Sequence, residues 1–464
     1  MKLLNHSLLG FLLLAAMPLH AQGTGSPQQP APAPAYGTDD SQSENSDLMR
    51  TPPPVSGQSF STEPTSTERA NYLRGGVSFT TAYTDNVVGS TGPDSKPLSD
   101  ISYSVFPTIA LDETTTRLHW TLQYAPGFTF YQRDSGRNQA DQNASIGVEY
   151  RLSPHVTFSA SDGFQKSSNL FNQPDLSGSV SGGTQGGNLL VVAPVADMLR
   201  NTGNVGLSYQ FARNEMVGAT GTFTNLHYPD QAVVPGLFDS ESQTGSAFYA
   251  LRVSRINYVT VSYQYARLLS FPTEGQNETR TQAFLFSYTF SPSKRFSFSV
   301  FGGPQYADIS PQFYLGSTTP QPGSRTWSGA GGASMSWQGK VSSVAVSYSH
   351  IVANGGGLIA PAQTDSASAV FRQRLTRTLG ASLTAAYMNS AVIGGLSQVA
   401  TGSSNGHGIL GTASLQQQLG QHLSLQLGYT RLHQNYNVAA ISATPDTNRE
   451  FVSVSYEFSR PLGR

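Results

Sequence analysis

The segment SHIVANGGG, Ser349 to Gly357, sets His350 close to Asn354, and a histidine base beside a polar orienting group is the beginning of a nucleophilic site. Such a site needs nucleophile, base and orienting group all within hydrogen-bond reach, and no such set is visible around His350. Paired carboxylates for acid–base work are no better placed. Asp39, Asp40, Glu44 and Asp47 fall in a Pro- and Ser-rich stretch, while Asp85, Asp94 and Asp100 fall on or beside a loop, where solvated charge is expected. His155, His407, His422 and His433 do not have a metal-ligand spacing. The Gly-rich run SGSVSGGTQGGN, Ser177 to Asn188, lacks the strand-to-helix context and the Gly-Lys-Ser/Thr ending of a phosphate loop. The expectation is a protein that is not an enzyme and has no cofactor and no metal.

Composition narrows the class. The chain has 464 residues, of which 12% are charged, about half the fraction usual for soluble proteins. Hydrophobic residues do not replace the missing charge, since they make up only 38% and mean hydropathy is −0.26. Apart from the first 21 residues, no run is long and apolar enough for a membrane helix. A formal net charge of −1 argues against a nucleic-acid partner held by bulk charge. The absence of Cys excludes disulfides, thiolate-bound metal and a lipid-modified cysteine anchor.

Residues 1–21 have Lys2 near the start, an apolar run from Leu8 to Met17, then Pro18 and Ala21, the layout of a cleaved secretory signal. Residues 22–70 hold Pro27, Pro30, Pro32, Pro34, Pro52 to Pro54 and Pro64 among Ser, Thr, Gln and Gly. They lack the apolar surface to offset the entropy of ordering, and are expected to be a disordered periplasmic linker.

Residues 71–464 are different. VSFTTAY (Val77 to Tyr83), VTVSYQY (Val259 to Tyr265), FLFSYTF (Phe284 to Phe290), LSLQLGY (Leu423 to Tyr429) and VSVSYEF (Val452 to Phe458) alternate apolar with small polar residues. Period two means strands with one apolar and one polar face. Short turns join them in pairs, at Asp112 to Thr115, Ser153–Pro154, Arg213 to Glu215, Ser254–Arg255, Ser291 to Lys294, Gln338 to Lys340, Thr376 to Thr378 and Gly420–Gln421. Longer loops rich in Gly, Ser, Asn and Pro separate the pairs. A β-propeller of similar repeat length would need four short strands per repeat, and a soluble sandwich would carry charge on its polar face. The expectation is an all-β protein, a closed antiparallel transmembrane β-barrel of about 18 strands, with 16 to 20 as the alternatives.

Alternation also assigns faces. Trp120, Leu122, Tyr124, Leu207, Tyr209, Phe296 and Phe298 are expected to face lipid. On strands rising from the short turns, an aromatic residue is followed two places later by a polar one: Phe223 and Asn225, Tyr265 and Arg267, Tyr348 and His350, Tyr387 and Asn389, Tyr429 and Arg431. At about 3.3 Å per residue and a tilt near 40°, Tyr265, Tyr348, Tyr387 and Tyr429 reach an outer aromatic girdle. The polar residues then reach the headgroup layer, so that outer-membrane lipid and lipopolysaccharide are expected partners. The opposite parity puts Arg117, His119, Glu149, Arg151, Arg252, Arg372, Arg374 and Glu457 on the pore side, which would make an open lumen mildly anion-tolerant. Glu149 and Arg151 could instead brace each other.

By architecture and by its last strand, the region from 72 to 459 resembles Gram-negative outer-membrane β-barrel proteins, and by strand number the porin-like channels. The segment FVSVSYEF is similar to the C-terminal strand signal read by the outer-membrane assembly machinery, although SRPLGR follows Phe458. The resemblance implies a multi-pass outer-membrane location with both termini periplasmic. It also implies a third external loop, Ser167 to Asn201, folded over the mouth with its apolar stretch Leu189 to Leu199. SHIVANGGG is distantly similar to the His segment of outer-membrane phospholipases, but Val352 stands where the nucleophilic Ser would be. The leading expectation is therefore a porin-like channel for passive diffusion of small hydrophilic solutes, with homo-oligomer formation left open. The competing one is a non-conducting barrel with a surface structural, adhesion or polysaccharide-export role.

Overall fold

The computed structural model describes residues 71–87, 97–167, 196–229, 231, 237–272, 275–293, 295–311, 322–355, 359–393, 406–438, 441–443 and 446–462. The expected signal, the expected linker and most of the third external loop lie outside the described residues.

The strands are β1 (Tyr72–Thr84), β2 (Asp100–Thr114), β3 (Leu118–Tyr131), β4 (Gln139–Ser153), β5 (Val156–Ser167), β6 (Met198–Ala212) and β7 (Glu215–His227). They continue as β8 (Asp239–Arg252), β9 (Asn257–Phe271), β10 (Asn277–Ser293), β11 (Phe296–Ile309), β12 (Ser324–Gln338) and β13 (Ser342–Gly355). The series ends with β14 (Ile359–Arg374), β15 (Leu379–Val392), β16 (Gly406–Gln418), β17 (Leu423–Val438), β18 (Ile441–Ala443) and β19 (Asp446–Pro461). The three-residue β18 only extends the hairpin between β17 and β19. The other strands number 18, each pairing antiparallel with its neighbours in chain order. β1 pairs with β2 on one side and with β19 on the other, from Tyr72↔Pro461 to Thr84↔Arg449, so the sheet has no free edge. Closure is what hydrocarbon demands, because it offers no partner to an unpaired backbone N–H or C=O.

The spanning strands are 12 to 17 residues long, more than the hydrocarbon requires. The surplus corrects the expected loop edges. Ser167 belongs to β5, and Met198 to Asn201 belong to β6, because the ladder runs on to Ser167↔Met198 and satisfies those backbone groups. The turn expected from Asp112 to Thr115 likewise moves to Thr115–Arg117, since β2 stays paired to Thr114. β1 starts and β19 ends at the short-turn end, where Tyr72 lies opposite both Asp112 and Pro461.

Facing follows strict parity. On β1, Ser78, Thr80, Ala82 and Thr84 are buried, while Val77, Phe79 and Tyr83 are exposed on the outside. On β10, Thr281, Ala283, Leu285, Ser287 and Thr289 are buried, while Phe284, Phe286 and Tyr288 are exposed. The large exposed side chains belt the barrel and form the surface that lipid covers.

Candidate functional site: the barrel interior and the outer belt

Inward positions on adjacent strands carry small hydroxyl residues that meet across the sheet. Ser349 and Ser366 lie 2.6 Å apart, Ser382 and Ser414 2.7 Å, Ser347 and Ser368 2.8 Å, Ser104 and Thr129 2.9 Å, and Thr289 and Ser299 3.0 Å. Each of these pairs occupies directly opposite ladder positions. They satisfy polar groups without charge and hold neighbouring strands in one register. On the same face, Ser145, Ser159, Ser161 and Thr220 are exposed although they point inward, so the lumen is open to solvent along β4, β5 and β7.

The charged residues expected on the pore side share one height. His119, Glu149, Arg151, Arg252, Arg372, Arg374 and Glu457 have the inward parity of their strands, and Arg117 stands in the turn before β3; all lie at the short-turn end. His119 Nε2 lies 3.1 Å from Asp112 Oδ1, and Arg151 Nε lies 3.9 Å from Glu149 Oε1. Arg252 donates to Asn214 Oδ1 at 3.0 Å and to the Arg213 carbonyl at 2.9 Å, and Arg374 donates to the Lys340 carbonyl at 3.0 Å. Arg372 stands opposite Ser343 and Ser382, and Glu457 opposite Gly76. Several of these side chains therefore hold turns as well as facing the lumen.

Sequence reasoning missed a second charged group at the opposite end. Asp100, expected to be a solvated loop acid, is the first residue of β2 and is buried. Its carboxylate accepts the backbone N–H groups of Ile101 at 2.7 Å and of Arg133 and Asp134 at 3.1 Å each. Burial without those donors would be costly, and with them it ties the loop after β3 to β2. Asp141 is also buried on the inward face of β4, and the Arg449 guanidinium lies 5.7 Å from the centre of the Phe451 ring. The signal was present: Asp100 shares its parity with Ser102 and Ser104.

Charge is unevenly distributed around the interior. Arg74, Asp100, Asp112, His119, Asp141, Glu149, Arg151, Arg200, Arg449 and Glu457 face inward from β19 and β1 to β6. Among the described inward positions of β9 to β13 and β15 to β17 there is no Asp, Glu, Lys or Arg. The interior thus has one charged wall and one neutral wall, and Arg372 and Arg374 on β14 are the neutral half's charges, at its short-turn end.

On the outside, the polar residues above the aromatic belt are already paired. Arg267 lies 2.6 Å and Arg280 2.7 Å from the same Glu278 oxygen, and Arg431 lies 3.3 Å from Asp446. Tyr348 donates its hydroxyl to Asp365 at 2.8 Å, and His350 Nδ1 is 2.7 Å from the same oxygen. Asn389 is opposite Asp365 on β15, and Asn225 is opposite Asn201 and Glu241. Tyr429 donates to Asn448 at 2.6 Å. Tyr348, Tyr387 and Tyr429 are exposed, and Tyr265 is half-buried opposite Gln282 and Gly245. His350 has Gly331 and Asp365 across the ladder, and Ser349 and Ser366 turn to the other face.

No protein-family model and no curated protein sequence matches the chain. Solved structures do. The outer membrane protein opdK of Pseudomonas aeruginosa aligns at a TM-score of 0.41 and 8% identity, over 84% of this chain and 99% of its own. OpdQ of the same organism aligns at 0.41 and 11%, over 84% and 97%. OccAB4 of Acinetobacter baumannii aligns at 0.39 and 9%, over 85% and 100%. By its own geometry the chain is a closed antiparallel β-barrel of 18 spanning strands with an apolar outer belt.

Proposed function

We propose that the barrel is an outer-membrane channel for the passive diffusion of small hydrophilic solutes. The observation that carries this reading is the exposure of Ser145, Ser159, Ser161 and Thr220 on the inward face, where a filled barrel would bury them. The uncharged hydroxyl lining suits solutes that exchange water hydrogen bonds for wall hydrogen bonds. Both termini are proposed to lie in the periplasm, on the side of the short turns. β19 would present FVSVSYEF to the assembly machinery, and the belt holding Arg267, Arg280 and Arg431 would meet lipopolysaccharide phosphates. Arg372 and Arg374 support a mild tolerance for anions at the short-turn end.

One feature favours a second reading, a non-conducting barrel with a surface role. Leu268, Ile309 and Val352, from the ends of β9, β11 and β13 away from the short turns, and Ile393, just past β15, form one buried apolar cluster. Apolar packing at that end would narrow the outer mouth. Planar-bilayer recording separates the two: stepwise conductance from the folded full-length chain is expected, and its absence would leave the surface role.

A further inference from the structure

The short turns share one sign of charge. Among the described residues they carry Arg117, Arg213, Arg255, Arg295, Lys340 and Arg377, and no Asp or Glu. The outermost five residues of the strands at the same end hold six arginines against five acids, so they nearly cancel and leave the turn charges uncompensated. These turns run from β2–β3 round to β14–β15, so the positive charge forms a ring about the mouth rather than one patch. Like charges on one rim repel, and a polyanion laid across them relieves that repulsion.

The chain carries such a polyanion, attached at this same end. Tyr72 opens β1 here, opposite Asp112 and Pro461. The sequence before it, residues 22–70, holds Asp39, Asp40, Glu44, Asp47, Glu63 and Glu68 against Arg50 and Arg69, a net charge of −4. Four of those acids fall in DDSQSENSD, Asp39 to Asp47, with no basic residue among them. A random coil as long as the stretch from Asp47 to Tyr72 spans roughly 25–30 Å. Eighteen strands about 4.8 Å apart and tilted about 40° close into a ring roughly 35 Å across, so the run reaches the middle of the mouth and most of its turns. A tether of this length sets an effective concentration on the order of millimolar, at which individually weak charge pairs suffice.

We propose that the acidic run Asp39 to Asp47 docks on the basic ring of the short turns and lies across that mouth of the barrel. The contact is electrostatic, made of several exposed pairs rather than one seated side chain, and it weakens as salt rises. Anionic phospholipid headgroups offer the same ring a different occupant. The chain's own run is favoured because it is tethered beside the ring and matches it in sign and reach. The inference goes beyond the channel reading and holds whether or not the barrel conducts.

The chain has no Cys, so introduced cysteines take spin labels only where they are placed. Ser43→Cys labels the acidic run, and Gly420→Cys labels a short turn where an added Cβ meets nothing within 4 Å. Pulsed electron–electron double resonance on the full-length chain, folded into vesicles that contain phosphatidylglycerol, reads the distance between the labels. A defined distance is expected at about 0.1 M salt, with its distribution broadening about twofold at about 1 M, where the Debye length is about 3 Å. Asp39→Asn, Asp40→Asn, Glu44→Gln and Asp47→Asn together should broaden it as much at the lower salt. So should Arg255→Gln, Arg295→Gln and Arg377→Gln together, with folding of each variant checked by heat-modifiable gel migration. A distribution already broad at the lower salt before any charge is removed, as when lipid headgroups hold the ring, overturns the proposal. A defined distance that survives either set of substitutions overturns it too, since the run would then be held by something other than this charge.

Discussion

The Phe458 ring lies over Gly75, directly opposite it in the β1–β19 ladder that closes the barrel. A Cβ on Gly75 would come within 2.7 Å of Phe458 Cε1, so the ring takes the space that a side chain would fill. Phe458 is exposed on the lipid side and covers the bare glycine backbone there. Gly75→Val should therefore overpack the seam and lower stability by about 1–3 kcal/mol in urea titrations of vesicle-inserted protein. Phe458→Ala should be destabilising alone, yet the double variant should lose less than the sum of the two single losses. Additive losses would show that the ring and the glycine are independent.

Parity assigns adjacent residues of β17 to opposite solvents. Leu427 is exposed on the outside, and Gln426 has the inward parity. Leu427→Arg should cost about 1–2 kcal/mol, since Leu427 sits on the lipid face two residues short of the Tyr429 girdle, where the penalty for Arg is below its midplane value. Gln426→Arg should change stability by about 0.5 kcal/mol or less, because a watery lumen solvates the charge. Folding titrations of both variants in the same vesicles decide it, and equal losses would be incompatible with the assigned facing.

Alternation carried the strands, their pairing in chain order and the closed barrel, because period two is written directly into segments such as Val452 to Phe458. It carried facing for the same reason. Depth was harder to read, since parity says which side a residue faces and not how high it sits. Distance to the nearest short turn supplies that: Arg151, Arg252 and Arg374 each stand two residues before a turn read from the sequence, at Ser153, Ser254 and Thr376. The acidic partners of the outer belt were invisible for a different reason. Glu278, Asp365 and Asp446 lie on the neighbouring strand beyond a loop, and only the register brings Asp365 opposite His350, Asp446 opposite His433 with Arg431 close by, and Glu278 within reach of Arg267.

Asp365 serves as the common acceptor for Tyr348 and His350 at the outer edge of the lipid face. Asp365→Ala removes both bonds at once and leaves a phenol and an imidazole beside an apolar surface. A loss of about 1–3 kcal/mol is expected from the unpaired groups. Tyr348→Phe should lose less, because His350 keeps its bond to the carboxylate. Equilibrium unfolding of both variants orders them, and Tyr348→Phe as damaging as Asp365→Ala would mean that the histidine bond contributes nothing.

Arg372 has the inward parity of β14 between Ser343 and Ser382, and Arg374 donates to the Lys340 carbonyl at 3.0 Å. Both occupy the short-turn end of the wall that is otherwise uncharged, so their field meets little competition nearby. Fixed positive charge at a pore end raises local anion concentration and lowers that of cations, an effect that fades as salt shortens the Debye length. Under a KCl gradient, Arg372→Gln should shift the reversal potential toward cation preference, more at 0.1 M than at 1 M salt. Arg374→Gln should shift it in the same direction and should in addition reduce stability, since its guanidinium holds the turn at Lys340. Reversal potentials unmoved by either substitution at low salt would assign both arginines to bracing alone.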